Sequence, residues 1–247
     1  MTDHEDWAAG DPLKEIPASV FADDDGTADA RLAQSLIRFS RGKAPLAEVV
    51  DSLAYARILV PVVADGDHRI VGKHGIEQDH VASTGVVALQ APDGRMALPI
   101  FTDVEAMRAW NESARPIPAE GPRAALAATA EGWSVLVINP GMEAVLIPRP
   151  AVWALGKGEP WRPAVVDGAV VDEVRDAIAD AVPIAGVVRA VDALPGRTAE
   201  VAVVLSLEPG LDRVALDDVV RDMHEALAAS AVIAERVDSL ELRLATA

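Results

Sequence analysis

Short apolar runs closed by turn signals constrain this chain more than any other feature. Thr84–Ala91 and Arg95–Phe101 flank Pro92-Asp93-Gly94, and Trp133–Ile138 and Glu143–Ile147 flank Asn139-Pro140-Gly141. Pro183–Val191 and Thr198–Leu207 are separated by Pro195-Gly196. Apolar runs broken by such residues build hairpins, because Asn, Asp and Gly supply the backbone angles of a tight reversal. A membrane helix needs about 20 consecutive apolar residues. The run Ile58–Ala64, bounded by Arg57 and Asp65, falls well short and reads as a buried strand.

Helical periodicity fills the intervals. Leu32, Leu36, Ile37 and Phe39 recur on one side of a helix starting near Ala28 and closed by Gly42. Pro45 opens a second helix carrying Leu46, Val49, Val50, Leu53 and Tyr55. Thr102-Asp-Val-Glu105 has the form of a capping box before a short helix through Met107 and Trp110. Arg115–Pro118 is extended, Gly121-Pro122 starts a longer helix, and Pro150 starts a short one. Beyond a Gly- and Pro-bearing linker, the pattern restarts. Val170, Val171, Val174, Ile178 and Ala181 form a helical stripe, and so do Leu216, Val219, Val220, Met223 and Leu227. Val237–Leu244 alternates as a final strand. The predicted class is α+β, with two domains, each of mixed helices on a mainly antiparallel sheet built from hairpins. The expected divisions are an acidic flexible arm at 1–27, an α+β domain at 28–155, a linker at 156–164, and a C-terminal α-β-β-α-β domain at 165–247.

Composition narrows the function classes. The 247 residues are 51% hydrophobic and 25% charged, which is globular usage. With 22 Lys and Arg against 39 Asp and Glu, the net charge is −17. Nucleic-acid binders gather cations on one face to displace counterions. Here the arginines are scattered, so direct nucleic-acid binding is not expected. There is no cysteine, so thiolate catalysis, disulfides and Cys-based metal centres are excluded. The acidic start MTDHEDWAAG lacks the basic and apolar regions of a secretory signal. The expected location is the cytoplasm, with no membrane partner.

In FADDDGTADARL (residues 21–32), an EF-hand counted from Asp23 would have glycine at its fourth position instead of its sixth, and no closing glutamate. A helix start explains more, with Thr27 as cap and Asp29 in the first turn, where the dipole favours an anion. Gly66–His74 has the wrong glycine spacing for a phosphate loop and lacks the hydroxyl that binds magnesium. His68, His74 and His80 recur every six residues in a polar loop at 65–83, a spacing that suits neither a helix face nor a hairpin. Gly132-Trp-Ser134 is not a nucleophile elbow, and His224-Glu225 lacks the second histidine of a zinc-protease helix. No catalytic, cofactor-binding or metal residue is expected. Trp110, Trp133 and Trp153 read as packing residues. Arg115 and Arg149 each precede a proline beside an apolar element, where an arginine pairs with a carboxylate or receives an anion.

Several stretches together resemble a known family. FADDDGTADARL, ALQAPDGRMALPIFTDVEAMRAWNESARPIPAEGPRAALAATAEGW, LVINP and VLIPRPAVWAL are similar to the SseB family, named for enhanced serine sensitivity. The similarity covers about 21–155 as its N-terminal domain, with Leu98–Glu105 the most specific part. Residues from about 165 to 247 resemble the family's C-terminal domain, and the loop at 65–83 departs from the pattern. The resemblance implies two α+β domains, a cytoplasmic location and no established reaction or catalytic residue.

The expected function is therefore a non-enzymatic regulatory or adaptor protein of SseB type with a protein partner, and with a link to serine metabolism or stress that the family name implies. A small amino-acid-binding module is the alternative, and an uncharacterised enzyme the third. Phe101, Thr102, Trp110, Arg115 and Arg149 are the candidate partner or ligand surface. Composition leaves the oligomeric state open.

Overall fold

The runs between turn signals become strands. In the computed structural model, residues 21, 24–63, 80–81, 86–91 and 93–247 are described. The acidic arm lies almost wholly outside them. So does most of the histidine loop, of which only the backbone of strand β2 (His80–Val81) is described. The hairpin β3 (Val87–Gln90) and β4 (Met96–Ile100) turns at Gly94, whose φ of 84° suits glycine. The second hairpin is β6 (Val135–Ile138) and β7 (Val145–Ile147). These strands join in the order β2-β3-β4-β6-β7, with β4 and β6 parallel and the other pairs antiparallel.

Helices cover one face of this sheet. They are α1 (Ala30–Ser40), α2 (Leu46–Leu53), α4 (Gly121–Ala130) and α5 (Arg149–Lys157). Leu98, Ile100, Leu136, Ile138 and Ile147 pack there against Leu32, Leu53 and the small residues Ala124, Ala125 and Ala128. The opposite face is a smaller cluster of Leu89, Ala97, Val135 and Val137 with Trp110 of α3 (Val104–Trp110). A separate ribbon of β1 (Arg57–Val62) and β5 (Arg115–Glu120) pairs antiparallel and is stitched to the end of β4 through Leu59 and Phe101.

The C-terminal part gathers a second core, around Val174, Ile178, Val203, Leu205 and Leu227. Its elements are β8 (Val165–Val166), β9 (Ala169–Val170), α6 (Asp172–Ala181), β10 (Val188–Pro195), β11 (Val201–Leu207), α7 (Arg213–Ala229), α8 (Ala231–Arg236) and β12 (Leu240–Thr246). The sheet order is β10-β11-β12, the first pair antiparallel and the second parallel. The class is mixed α+β with mostly antiparallel pairing, as expected.

Local expectations needed correction at several points. Asp29, not Thr27, caps α1, standing directly before Ala30 and accepting from Leu32 N–H at 2.9 Å, while the Thr27 hydroxyl donates to Asp25. Asp103, not Thr102, caps α3, accepting from Ala106 N–H at 2.8 Å. Tyr55 lies beyond α2 and is 81% exposed, beneath Arg31. Val170 belongs to a small hairpin turned by Asp167-Gly168, both at positive φ, so α6 starts later than its apolar stripe. Strand β10 begins at Val188 because the chain turns at Gly186, with φ 61°. Helix α5 extends to Lys157, into the segment expected as linker, and ends on left-handed Gly158.

Gly121 joins β5 to α4 where a Cβ would lie 2.1 Å from the Leu53 carbonyl oxygen. Backbone on both sides cannot yield as a side chain does. Gly121→Ala is therefore expected to destabilise the protein by about 1–3 kcal/mol, the cost of overpacking a core. Thermal unfolding checks this, and an unchanged midpoint would refute the close approach.

Candidate functional site

The five candidate residues do not form one surface. Phe101 is fully buried against Leu59, Met107 and Ala114, with its ring 5.3 Å from that of half-buried Trp110. Thr102 is buried as well. Its N–H donates to Asn139 Oδ1 at 3.0 Å, its hydroxyl donates to Asp103 Oδ2 at 2.8 Å, and it accepts from Asn139 Nδ2 at 3.0 Å. These bonds tie the end of β4 to the turn after β6, which explains why Thr102 is unavailable as a cap. Arg115 is exposed on β5, opposite Val62.

Arg149 is the candidate that leads to a built site, the junction between the two cores. Its guanidinium donates to the carbonyls of Ala234 and Val237, both at 2.6 Å, and lies 4.8 Å from the centre of the Trp153 ring. Its backbone N–H donates to Asp238 Oδ1 at 2.9 Å. Arg95, in the β3–β4 hairpin, grips the same carboxylate with two nitrogens, at 2.8 and 3.0 Å. The Asp238 side chain is only 10% exposed. Two planar pairs of donor and acceptor make this the strong geometry for an ion pair. Asp238 carboxylate bonding raises Arg95 above its usual value, with Asp93 adding to it. The capping geometry of α8 delivers Ala234 and Val237 to Arg149, since the last carbonyls of a helix have no partners within it.

Glu200 supports the node from behind, accepting from Asp238 N–H at 2.7 Å while its own N–H donates to Ser239 Oγ at 3.0 Å. Burial pushes its carboxyl above the usual range, and the neighbouring Asp238 charge adds to this. Further out, Arg236 donates to the carbonyls of Arg162 and Pro163 and pairs with Glu173, and Lys157 pairs with Glu235 at 3.1 Å. Between α5, the stretch after it, α6 and α8 lies a polar cavity of about 380 Å³, walled by Trp153 and Trp161 and lined by Lys157, Arg162, Glu173 and Arg236. Among the described residues, no group of acids and histidines is placed to hold a metal ion. No described helix is long and apolar enough to cross a membrane.

The acidic run is structural in its described part. Asp24 pairs with Arg57 Nε at 2.9 Å and accepts from Gly26 N–H at 3.0 Å. Asp25 accepts from Thr27, whose hydroxyl and N–H hold the carboxyl below its usual range.

Just past the node, β12 presents an edge unlike the others described. Strand β5 carries Pro116 and Pro118; Pro116 faces Pro61 across the ribbon, so these positions point away from the ladder and blunt the free edge. β2 and β7 are two and three residues long. β10 is bulged between Val188 and Ala190 and ends in proline. β12 has seven residues, no proline, and an unbroken register with β11 from Leu240 to Thr246.

Comparison with family models adds one finding: residues 32–154 match the SseB protein N-terminal domain. The chain belongs to the SseB family. Comparisons with curated proteins and with solved structures each returned no match. The match ends at Ala154, within α5, so Arg95 and Arg149 lie inside the matched region and Asp238 beyond it. The sequence analysis singled out Arg149 but missed Arg95 and Asp238. Arg95 had a local signal, its place after Pro-Asp-Gly. Asp238 had none, because its partners lie 89 and 143 positions away.

Two expectations follow. Asp238→Ala removes the partner of two Arg95 nitrogens and of the Arg149 N–H, and the remaining Asp93 pair with the partial exposure of Arg95 keeps the loss at about 2 kcal/mol. Urea unfolding checks it; a loss under about 0.5 kcal/mol would place the node among surface ion pairs of little weight. Glu200 carries a raised value, so its protonated form is the one the fold favours. Its contribution is complete below the unfolded value and is lost as pH rises through the folded one. Glu200→Gln should therefore melt higher than wild type at neutral pH, with the gap closing towards about pH 4, near the unperturbed glutamate value. A pH-independent gap would contradict this origin.

Proposed function

We propose that this protein is a non-enzymatic regulatory or adaptor protein of SseB type that acts through protein contacts, with β12 as its docking edge. The observation that carries this reading is the contrast among edges: β12 alone among the described edge strands combines length, regular register and freedom from proline. An open edge offers a row of backbone donors and acceptors to an added strand, and flanking side chains select the partner. In this reading residues 28–155 and 165–247 are two domains, the second similar to the family's C-terminal domain. The Asp238 node holds the docking edge in a fixed place relative to the first. A link to serine metabolism or stress rests on the family name.

A second reading is favoured by the junction cavity. It offers Arg162 and Lys157 to a carboxylate and Glu159, Glu173 and Glu235 to an amine, between two tryptophans. That is the chemistry a small amino acid would use.

Site-specific photo-crosslinking in cells separates the two. A crosslinker at exposed Ala245 on β12 is expected to capture a defined protein, identified by mass spectrometry, that one at exposed Ile117 on β5 does not. Equal or absent adducts would overturn the adaptor reading. In parallel, L-serine at about 100 times its dissociation constant would add about 2.7 kcal/mol, roughly 5–10 °C in melting temperature. A selective shift of that size would favour the cavity instead.

A further inference from the structure

The geometry of β12 points to a specific occupant for its edge: we propose that a second copy of this chain pairs there, antiparallel, with Leu242 on the two-fold axis. The proposal rests on the docking-edge reading above. In the parallel ladder, Val201 N–H donates to Ser239 O and Ala247 N–H donates to Leu207 O. Odd-numbered peptide groups of β12 therefore turn towards β11, and those of Leu240, Leu242, Leu244 and Thr246 turn towards the free edge.

An antiparallel pair formed through these groups must match even positions with even positions, so a two-fold axis passes through a residue. With the axis at Glu241, two glutamates stand opposite one another. With the axis at Arg243, two arginines do. With the axis at Leu242, each Glu241 faces the other copy's Arg243, and each Leu240 faces a Leu244. Directly opposed like charges destabilise a strand pair and opposite charges stabilise it. The glutamate and arginine would occupy the non-hydrogen-bonded positions, where side chains approach most closely.

The other face of the strand agrees with this register. Leu240 and Leu244 are 36% and 43% exposed. Leu240 and Leu242 border an apolar groove of about 240 Å³ that also contains Leu227, Ala228 and Ile233, and Leu244 continues their row along the strand. Leucines of a second copy, in the same register, would extend this row and cover the groove. The result is one continuous sheet, β10-β11-β12 joined to its symmetry mate, with an isologous interface as closed dimers require.

Charge exchange tests the proposal on the full chain. Sedimentation equilibrium from about 1 to 200 µM, a range that brackets micromolar affinity, is expected to show wild type passing from monomer to dimer. Glu241→Arg alone sets like charges against each other, and so does Arg243→Glu alone; each variant should remain monomeric. Mixed in equal amounts, the two variants restore opposite charges at every pair and should form a heterodimer. That recovery also shows that neither variant has unfolded. Hydrogen exchange at the Leu240, Leu242 and Leu244 amides should slow as wild-type concentration rises. A wild type that stays monomeric, with these amides exchanging freely, overturns self-pairing and leaves the edge to a different protein. A dimer indifferent to both variants lies on another surface and overturns self-pairing at β12, leaving the docking edge to the crosslinking test. Single variants that dissociate and do not recover on mixing overturn the register.

Discussion

The arrangement of this protein depends on one buried carboxylate. Asp238 receives the Arg95 guanidinium and the Arg149 N–H, while Arg149 itself holds the carbonyls at the end of α8. The node brings together a hairpin turn, a helix start and the segment leading into the last strand. An ion pair of this kind gains little net stability over apolar packing, because both charges are desolvated. Its value is geometric: bidentate, planar bonds admit one orientation. The Asp238 N–H, held by Glu200, carries that orientation into β11, the strand beside β12.

The consequence is a strand edge held at a defined place. Edges invite unwanted pairing, and natural sheets blunt them with prolines, bulges or brevity. Those devices appear here on β5, β10, β2 and β7. On β12 the only charged guards are Glu241 and Arg243, which are of opposite sign and already bonded to each other. A guard that alternates in sign disfavours the registers centred on Glu241 and Arg243 and favours the one centred on Leu242. Glu241 also accepts from the N–H groups of Arg197 and Thr198, and these bonds, the Thr198 hydroxyl first, hold its carboxyl well below the usual range.

The legible and illegible parts divide by range. Val201, Val203, Leu205 and Leu207 recur at every second position and are buried together, because strand alternation is a property of the backbone alone. Gly42, Gly94 and Gly132 end or turn their elements at positive φ, as turn chemistry implies. Caps were misplaced by one or two residues because neighbouring polar side chains offer several possible caps and the fold engages some of them elsewhere. Thr27 went to Asp25, and Thr102 to Asn139. The Asp167-Gly168 hairpin carried a standard turn signal, obscured by valines that also fit a helical stripe. Among the candidate residues, Phe101 and Thr102 marked an ordered place in the fold but not a surface, and Arg149 marked half of the junction.

The sequence by itself determined what local rules can reach: the α+β class, the order of hairpins and helices, the positions of most turns, and membership in the SseB family through the stretch from Leu98 to Glu105 and its neighbours. Only the tertiary structure decided which arginines meet which carboxylate, that β11 and β12 run parallel, and which strand is left with an open edge. The physical reason is that periodicity and turn propensity act over a few residues. Ion pairing and strand order depend on distances between groups that are far apart in the chain, and these exist only once the cores have packed.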